Sequence, residues 1–386
     1  MILDPSVFHC PTQIHMGAGV YKQLPRLLNE IGANRIFIGT DKAVESTDFF
    51  SRVRGQLDQT DMEYVIFTDI EPDPSVKTVN AGYKLCQDHG AAAMIAIGGG
   101  STIDVCKAVG ILSTNGGKIS DYAGNHKFSI PPLPLLAVPT TAGTGSEVSG
   151  SCVITDTDNG VKMSIRHLTL NPARFAILDP LALATLPAHV AAHSGLDAFV
   201  HAFESFVSRR ATLLTDSINL QAISLIAGNI RQFYANRENT EAGLRMLCGS
   251  TLAGIGFTHT GTGNIHCISR HIGARFHLSH GLSNAIMLPH VARFNGVACP
   301  EKYRQVAAAM GENTWGLSAN EAVDRAVAAI TRMCGDLDIP GGLRQLGAAK
   351  EDLVEIVERS FKENYNAWNP RHTSRKDFEE LITAAY

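Results

Sequence analysis

The sequence predicts an α/β domain built on a parallel sheet, followed by an all-α domain. Over residues 1–185, short apolar runs alternate with segments of helical period, the pattern of strands joined by crossover helices. From Leu186 onward helical periodicity dominates and few strand candidates remain. The predicted boundary therefore divides the chain into 1–185 and 186–386, with no long flexible linker. A chain of 386 residues has room for two substantial cores.

Each element has its own signal. Arg35 to Asp41 reads as a buried strand, with helix-like residues from about Glu45. Glu63–Phe67 is a second strand, followed by a turn at Glu71–Ser75 and a helix through Cys86. Ala92–Ile97 is a third strand leading into a helix to Ile111, and Pro134–Val138 is a fourth. Parallel sheets of this kind bind ligands beyond the carboxyl ends of their strands. In the second half, helices are expected over Leu186–Val207, Leu213–Tyr234, Thr240–Phe257, Ala298–Met310, Ser318–Cys334 and Asp352–Phe361.

Composition narrows the function classes. With 45% hydrophobic and 18% charged residues the chain is of ordinary globular type, and disorder is not expected. A net charge of -4 offers no basic footprint for nucleic acid or an anionic membrane surface. Eight scattered cysteines without a CxxC pair indicate reduced thiols and a cytoplasmic setting. The opening Met1–Phe8 lacks a signal-peptide pattern, and no apolar run approaches the length of a membrane span. These features predict a cytoplasmic enzyme acting on a small molecule.

The third strand runs directly into Gly98-Gly99-Gly100-Ser101, with Asp104 in the helix that follows. Glycines there let a backbone approach a diphosphate, and the helix start presents free N–H groups, with Ser101 suited to be the N-cap. Neither a GxGxxG fingerprint nor a Walker loop is present, so a tight structural turn is the competing reading. A second polar loop, Pro139–Glu147, follows the fourth strand and offers hydroxyls from Thr140, Thr141, Thr144 and Ser146. Asp41 ends the first strand, where a carboxylate can accept from a ribose diol and repel a 2′-phosphate, favouring NAD over NADP. The competing reading of Asp41 is a helix N-cap.

Asp197 and His201 stand one turn apart on one helix face and can hold a divalent cation from two sides. Two ligands do not complete a site. Five of the chain's 15 histidines fall between 259 and 280. His266 and His280 among them can complete a set of one aspartate and three histidines with an open position. Such a set suits Fe²⁺ or Zn²⁺.

Taken in order, these motifs resemble the iron-containing (group III) alcohol dehydrogenase family. The resemblance spans Gly98–Ser101 with Asp104 and Lys107, Pro139–Glu147, Gly195–Asp197 with His201, His266, His280-Gly281, Leu288–Val291 and Asn369–Arg371. It implies an NAD-binding α/β domain, an all-helical metal-binding domain of dehydroquinate synthase-like architecture, and an active site in the cleft between them. Asp197, His201, His266 and His280 match the family's metal ligands, with Fe²⁺ the first choice and Zn²⁺ the second. Asp41, Gly99, Gly100, Ser101, Thr140, Thr141, Thr144 and Lys162 match its cofactor contacts, and Asp73, Asp104, Ser146 and Leu181 join them. The implied activity is reversible NAD-linked oxidation of an alcohol to an aldehyde or ketone, by a homo-oligomer.

Departures from the family pattern bear on the substrate. Arg270 stands where a second histidine is common, and His271 where proline is usual; both are the catalytic candidates. A guanidinium does not act as a base near neutral pH, but it clamps carboxylates, sulfonates and phosphonates. A short substrate with an anionic tail is therefore expected, unless Arg270 instead pairs with a protein carboxylate. A maleylacetate reductase-type activity or another oxo-acid reductase on this architecture would use the same feature. A non-catalytic NAD- or metal-binding protein would be expected to have lost a ligand or the glycine turn, and neither is lost.

Overall fold

A computed structural model describes residues 6–386; residues 1–5 of the opening segment weighed above for a leader lie outside it. The strands are β1 (Gln13–Met16), β2 (Arg35–Gly39), β3 (Glu63–Phe67), β4 (Ala93–Gly98), β5 (Gly124–Asn125), β6 (Leu135–Pro139), β7 (Ser151–Asp156), β8 (Val161–Arg166) and β9 (Phe175–Leu178). Helices α1 (Leu24–Glu30), α2 (Lys42–Glu45), α3 (Asp48–Leu57), α4 (Val76–His89) and α5 (Gly100–Asn115) alternate with them. Then follow α6 (Ala188–Val207), α7 (Leu213–Ala235), α8 (Thr240–Thr260), α9 (Asn264–Phe276), α10 (His280–Gly296), α11 (Pro300–Ala309), α12 (Ala319–Asp336), α13 (Asp352–Lys362) and α14 (Arg375–Ala384). The α/β half and the helical half expected from the sequence are both present. Among the described residues no helix is long and apolar enough to cross a membrane.

Contacts group Val7–Leu186 with Arg237–Leu247 as one compact unit, and Pro187–Asn236 with Cys248–Tyr386 as another. The first unit holds a six-stranded parallel sheet in the order β1-β9-β6-β4-β2-β3. Its two faces bury alternate residues of each strand. Ala93, Ile95 and Ile97 of β4 pack with Leu24, Leu28 and Phe50, while Met94 and Ala96 pack with Val105 and Val109. Helices thus cover both faces, as a doubly wound sheet requires. β2 is followed in sequence by β3 on one side, and β4 then lies on the other, so the strand order reverses at β2 and β4.

The sheet exceeds the sequence reading by two strands. β1 and β9 pair with each other in parallel, and β9 also pairs with β6. β1 shows no period-2 alternation, with its ends exposed and its middle half-buried, and both strands are only four residues long. The antiparallel pair β7 and β8 also had no sequence expectation.

The second unit is built around α6, whose residues from Gly195 to Val207 are all buried. A helix apolar on every side must lie inside a core. Phe199 and Phe203 stack with ring centroids 6.2 Å apart, and Phe203 meets Tyr303 edge-on at 5.5 Å. The Tyr303 hydroxyl donates to the Ala292 carbonyl at 2.6 Å, satisfying its polar end. α10 is held close to α6 by Gly281: a Cβ there would stand 2.1 Å from the His193 carbonyl oxygen.

That approach sets a contrast between two glycines of this unit. Gly281→Ala must push α10 from α6 and is expected to cost about 1–3 kcal/mol. Gly228 is exposed in α7, and a Cβ placed on it would meet nothing within 4 Å. Its substitution by alanine should therefore gain stability, about 0.5–1 kcal/mol. Thermal unfolding of the two single variants checks both signs, and equal shifts would contradict the packing account.

Candidate active site

Burying α6 carries its polar side chains inward with it. Asp197, His201 and Glu204 are 3%, 6% and 2% exposed. One donor atom from each of Asp197, His201 and His266 lies within 4.8 Å of the others. His201 Nδ1 is 3.8 Å from Asp197 Oδ2, and His266 Nε2 is 3.8 Å from Asp197 Oδ1. His280, at the start of α10, brings its Nε2 to 3.7 Å from the same Asp197 oxygen, with its side chain 48% exposed.

These separations are too long for hydrogen bonds and near what a shared ion imposes. Bonds of about 2.0–2.2 Å in a tetrahedron leave ligand atoms about 3.4 Å apart. Asn284, one turn after His280, points its amide nitrogen at three of the acceptors: Asp197 Oδ1 at 2.7 Å, His280 Nε2 at 3.2 Å and His266 Nε2 at 3.3 Å. Several lone pairs converging on one electropositive group is the arrangement a cation needs. The donor set fits a divalent metal, and one carboxylate with three imidazoles suits iron or zinc.

Two members of this cluster escaped the sequence reading. Glu204 lies within 2.6 Å of His266 Nδ1 through Oε2, and its Oε1 accepts from the Ile265 N–H at 2.6 Å. With Nδ1 engaged by a carboxylate, His266 presents Nε2 to the centre, the usual support for a ligating imidazole. Burial would lower the His266 pKa, but Glu204 and Asp197 outweigh it and raise it. Burial would raise Asp197, yet His201, His280, His266 and Asn284 hold it below the usual carboxylate range. A signal for Glu204 existed: an acid two turns after Asp197, inside an apolar helix, needs a buried partner. Asn284 had none beyond standing four residues past His280.

The start of α9 is anchored by amides. Asn369 accepts from the Asn264 N–H at 3.2 Å and exchanges bonds with Asn295, while Asn264 Nδ2 donates to Thr373 Oγ1 at 2.8 Å. This gives the Asn369–Arg371 motif a structural task, which is to fix the helix that carries His266.

Arg270 shares the His266 face of α9, one turn on. Its Nη1 donates to the Tyr365 hydroxyl at 3.0 Å and lies 3.8 Å from Glu363 Oε2, a loose pairing with a half-exposed acid. His271 lies about 140° round the helix from His266. It is buried with Nε2 lacking a hydrogen-bond partner, 3.7 Å from Glu363 Oε2, and burial lowers its pKa. Arg270 and His271 thus both approach the Glu363 carboxylate, and helical register puts Arg270 on the His266 side of α9.

In the other unit, register aligns the two polar loops. Gly98 of β4 pairs with Pro139 of β6, so Gly99 and Gly100 run beside Thr140 and Thr141. The fit leaves no room for side chains: a Cβ on Gly100 would meet Thr144 Cγ2 at 2.7 Å. Gly99 caps α5 and the helix begins at Gly100, which corrects the expectation that Ser101 is the N-cap. Asp104 and Ser146 turn to each other: Ser146 Oγ donates to Asp104 Oδ1 at 2.6 Å, and the Val153 N–H to Oδ2 at 2.8 Å. Buried Lys107 donates to the carbonyls of Ser149 at 2.8 Å and Ser151 at 2.9 Å, and burial lowers its pKa. These side chains hold the loop that Thr140, Thr141 and Thr144 occupy.

Asp41 lies at the end of β2, beside the point where the strand order reverses. Its Oδ1 accepts from the Ala43 and Val44 N–H groups at 3.0 Å, so it caps α2. That leaves Oδ2 outside the cap. Asp73, at φ 53°, pairs with Lys162 of β8 at 2.7 Å. Leu181 sits in the turn after β9, its N–H donating to Asp179.

Comparison with known proteins matches both halves of the chain. Residues 11–180 match the model described as "Iron-containing alcohol dehydrogenase", and residues 191–386 that of the "Fe-containing alcohol dehydrogenase family, C-terminal". The chain is 34% identical to an NAD-dependent methanol dehydrogenase of Bacillus methanolicus, covering 98% of this chain and 99% of that one. It is 35% identical to a sulfoacetaldehyde reductase of Bilophila wadsworthia, covering 98% and 99%. A crystal structure of a 1,3-propanediol oxidoreductase superposes with a TM-score of 0.95 at 34% identity, covering 99% of this chain and 100% of that one. The family's activity is metal-dependent, NAD-linked hydride transfer between alcohols and aldehydes or ketones. The chain belongs to the iron-containing alcohol dehydrogenase family.

Proposed function

We propose that this enzyme interconverts a short aldehyde bearing an anionic tail and its alcohol, with NAD as the hydride carrier. The observation that carries the substrate class is Arg270, one turn from His266 on the same face and only loosely paired with Glu363. Its remaining N–H groups can take a carboxylate or sulfonate in bidentate fashion. The likeness to a sulfoacetaldehyde reductase supports an anionic tail.

Asp197, His201, His266 and His280 would hold the divalent ion, Fe²⁺ ahead of Zn²⁺. A cation there supplies Lewis-acid polarisation of the substrate oxygen, and a bound nicotinamide carries the hydride. The chain's own residues do the positioning. Glu204 keeps the His266 lone pair on Nε2 directed inward, and Asn284 fixes the Asp197 carboxylate. Gly99 to Ser101 with Thr140, Thr141 and Thr144 would face the diphosphate, with Asp104 and Ser146 holding their loop in place. Asp41 would reach the ribose, and Asp73, Lys162 and Leu181 the remaining parts of the dinucleotide. We assign residues 1–185 to nucleotide binding and 186–386 to the metal. The enzyme is assigned to the cytoplasm as a homo-oligomer; its eight cysteines are all free thiols, which supports the compartment.

Two experiments test these assignments. Glu204→Gln keeps shape while removing the charge behind His266, and metal affinity is expected to fall about 10- to 100-fold. Titrating the metal-free protein reads this directly, and unchanged affinity would remove Glu204 from the centre. Arg270→Ala should lower kcat/KM about 10- to 150-fold for an anionic aldehyde, from the loss of charged hydrogen bonds. A neutral aldehyde of equal length should be little affected. Equal losses on both substrates would assign Arg270 to Glu363 and Tyr365 instead.

A further inference from the structure

The stripe of α6 that carries Asp197 and His201 holds two more ligand-type side chains. His189, His193, Asp197 and His201 follow at four-residue spacing, so each stands one turn and about 40° round the helix from the last. Their exposure falls along the helix. His189 is exposed and His193 half-buried, while Asp197 and His201 are buried. The His189 and His193 rings stand edge-on with centroids 5.9 Å apart. A histidine pair at this spacing can chelate one borderline divalent cation, with water completing its shell.

The surroundings of His193 favour that use. Its Nδ1 shares a hydrogen bond with Ser279 Oγ at 3.1 Å, which orients the ring and leaves Nε2 to ligate. Burial and the neighbouring His189 hold His193 below the ordinary histidine range, so the ring is neutral at physiological pH. Ser279 directly precedes His280, the most exposed member of the proposed metal set. Successive positions on the stripe are about 6 Å apart along the helix axis.

We propose that His189 and His193 form a capture site for the divalent cation and deliver it along α6 to the Asp197 set. The inference rests on reading Asp197, His201, His266 and His280 as that set. A hydrated ion cannot enter a buried cluster without a path. Two imidazoles bind it weakly enough to release it, and the deeper carboxylate and histidines retain it. Capture exchanges water ligands for His189 and His193, and delivery exchanges those two imidazoles for the Asp197 set, with no change of oxidation state.

The test follows uptake rather than turnover. Metal-free wild-type chain and the double variant His189→Gln with His193→Gln are mixed with Co²⁺, and the visible absorbance of the bound ion is recorded against time. Elemental analysis after desalting gives the endpoint. The double variant should load several-fold more slowly and reach the same Co²⁺ content as wild type. Equal loading rates, or a lower endpoint in the double variant, would overturn the capture role. Failure of wild type to retain Co²⁺ at all would overturn the metal reading itself and the capture role with it.

Discussion

Burial of the last thirteen residues of α6 is the constraint on which the metal-binding half depends. Thirteen consecutive residues from Gly195 to Val207 are removed from water, two carboxylates and an imidazole among them. A buried charge without partners costs several kcal/mol. Asp197 meets this cost through three imidazoles and an amide, and Glu204 through His266 and the Ile265 N–H. The same demand fixes the neighbouring helices. α9 must start where its first turn can reach Glu204, and α10 must come close enough for Asn284 to reach Asp197, which glycine at 281 permits. Structural and chemical roles therefore coincide in these residues.

The nucleotide half solves a different problem, which is how to keep a polar loop rigid without apolar side chains. Nine residues from Pro139 to Glu147 offer little to pack. The loop is held instead by parallel register with β4 and by Asp104 and Lys107 of α5, which satisfy its hydroxyls and carbonyls from behind. A glycine turn and a threonine turn are thereby placed side by side at the carboxyl end of the sheet.

In the proposed function, Arg270 is the single exchange that redirects a shared scaffold. The relatives include enzymes named for methanol, propanediol and sulfoacetaldehyde, so the scaffold itself does not select charge. The proposed function places charge selection on the next turn of α9. A guanidinium steadied by the Tyr365 hydroxyl and a distant carboxylate retains donors for a substrate. His271, one residue further, reaches the same Glu363 carboxylate from inside the fold.

Periodicity and motif order made the larger part of this protein legible in its sequence. Strand–helix alternation, the change of period near Leu186, and the pairs Asp197–His201 and His266–His280 depend on local spacing, which the chain itself specifies. Two short strands were not legible, because β1 and β9 are only four residues long, and among the described residues β1 pairs only with β9, across some 160 residues of sequence. Local sequence favours Ser101 as a cap, but the choice between Gly99 and Ser101 depends on where β4 stops, which its register with β6 decides. Tertiary structure alone decided that Glu204 supports His266, that Asn284 faces Asp197, and that Asp104 grips Ser146. Each of these is a hydrogen bond between distant segments, forced when burial removes water as the alternative partner.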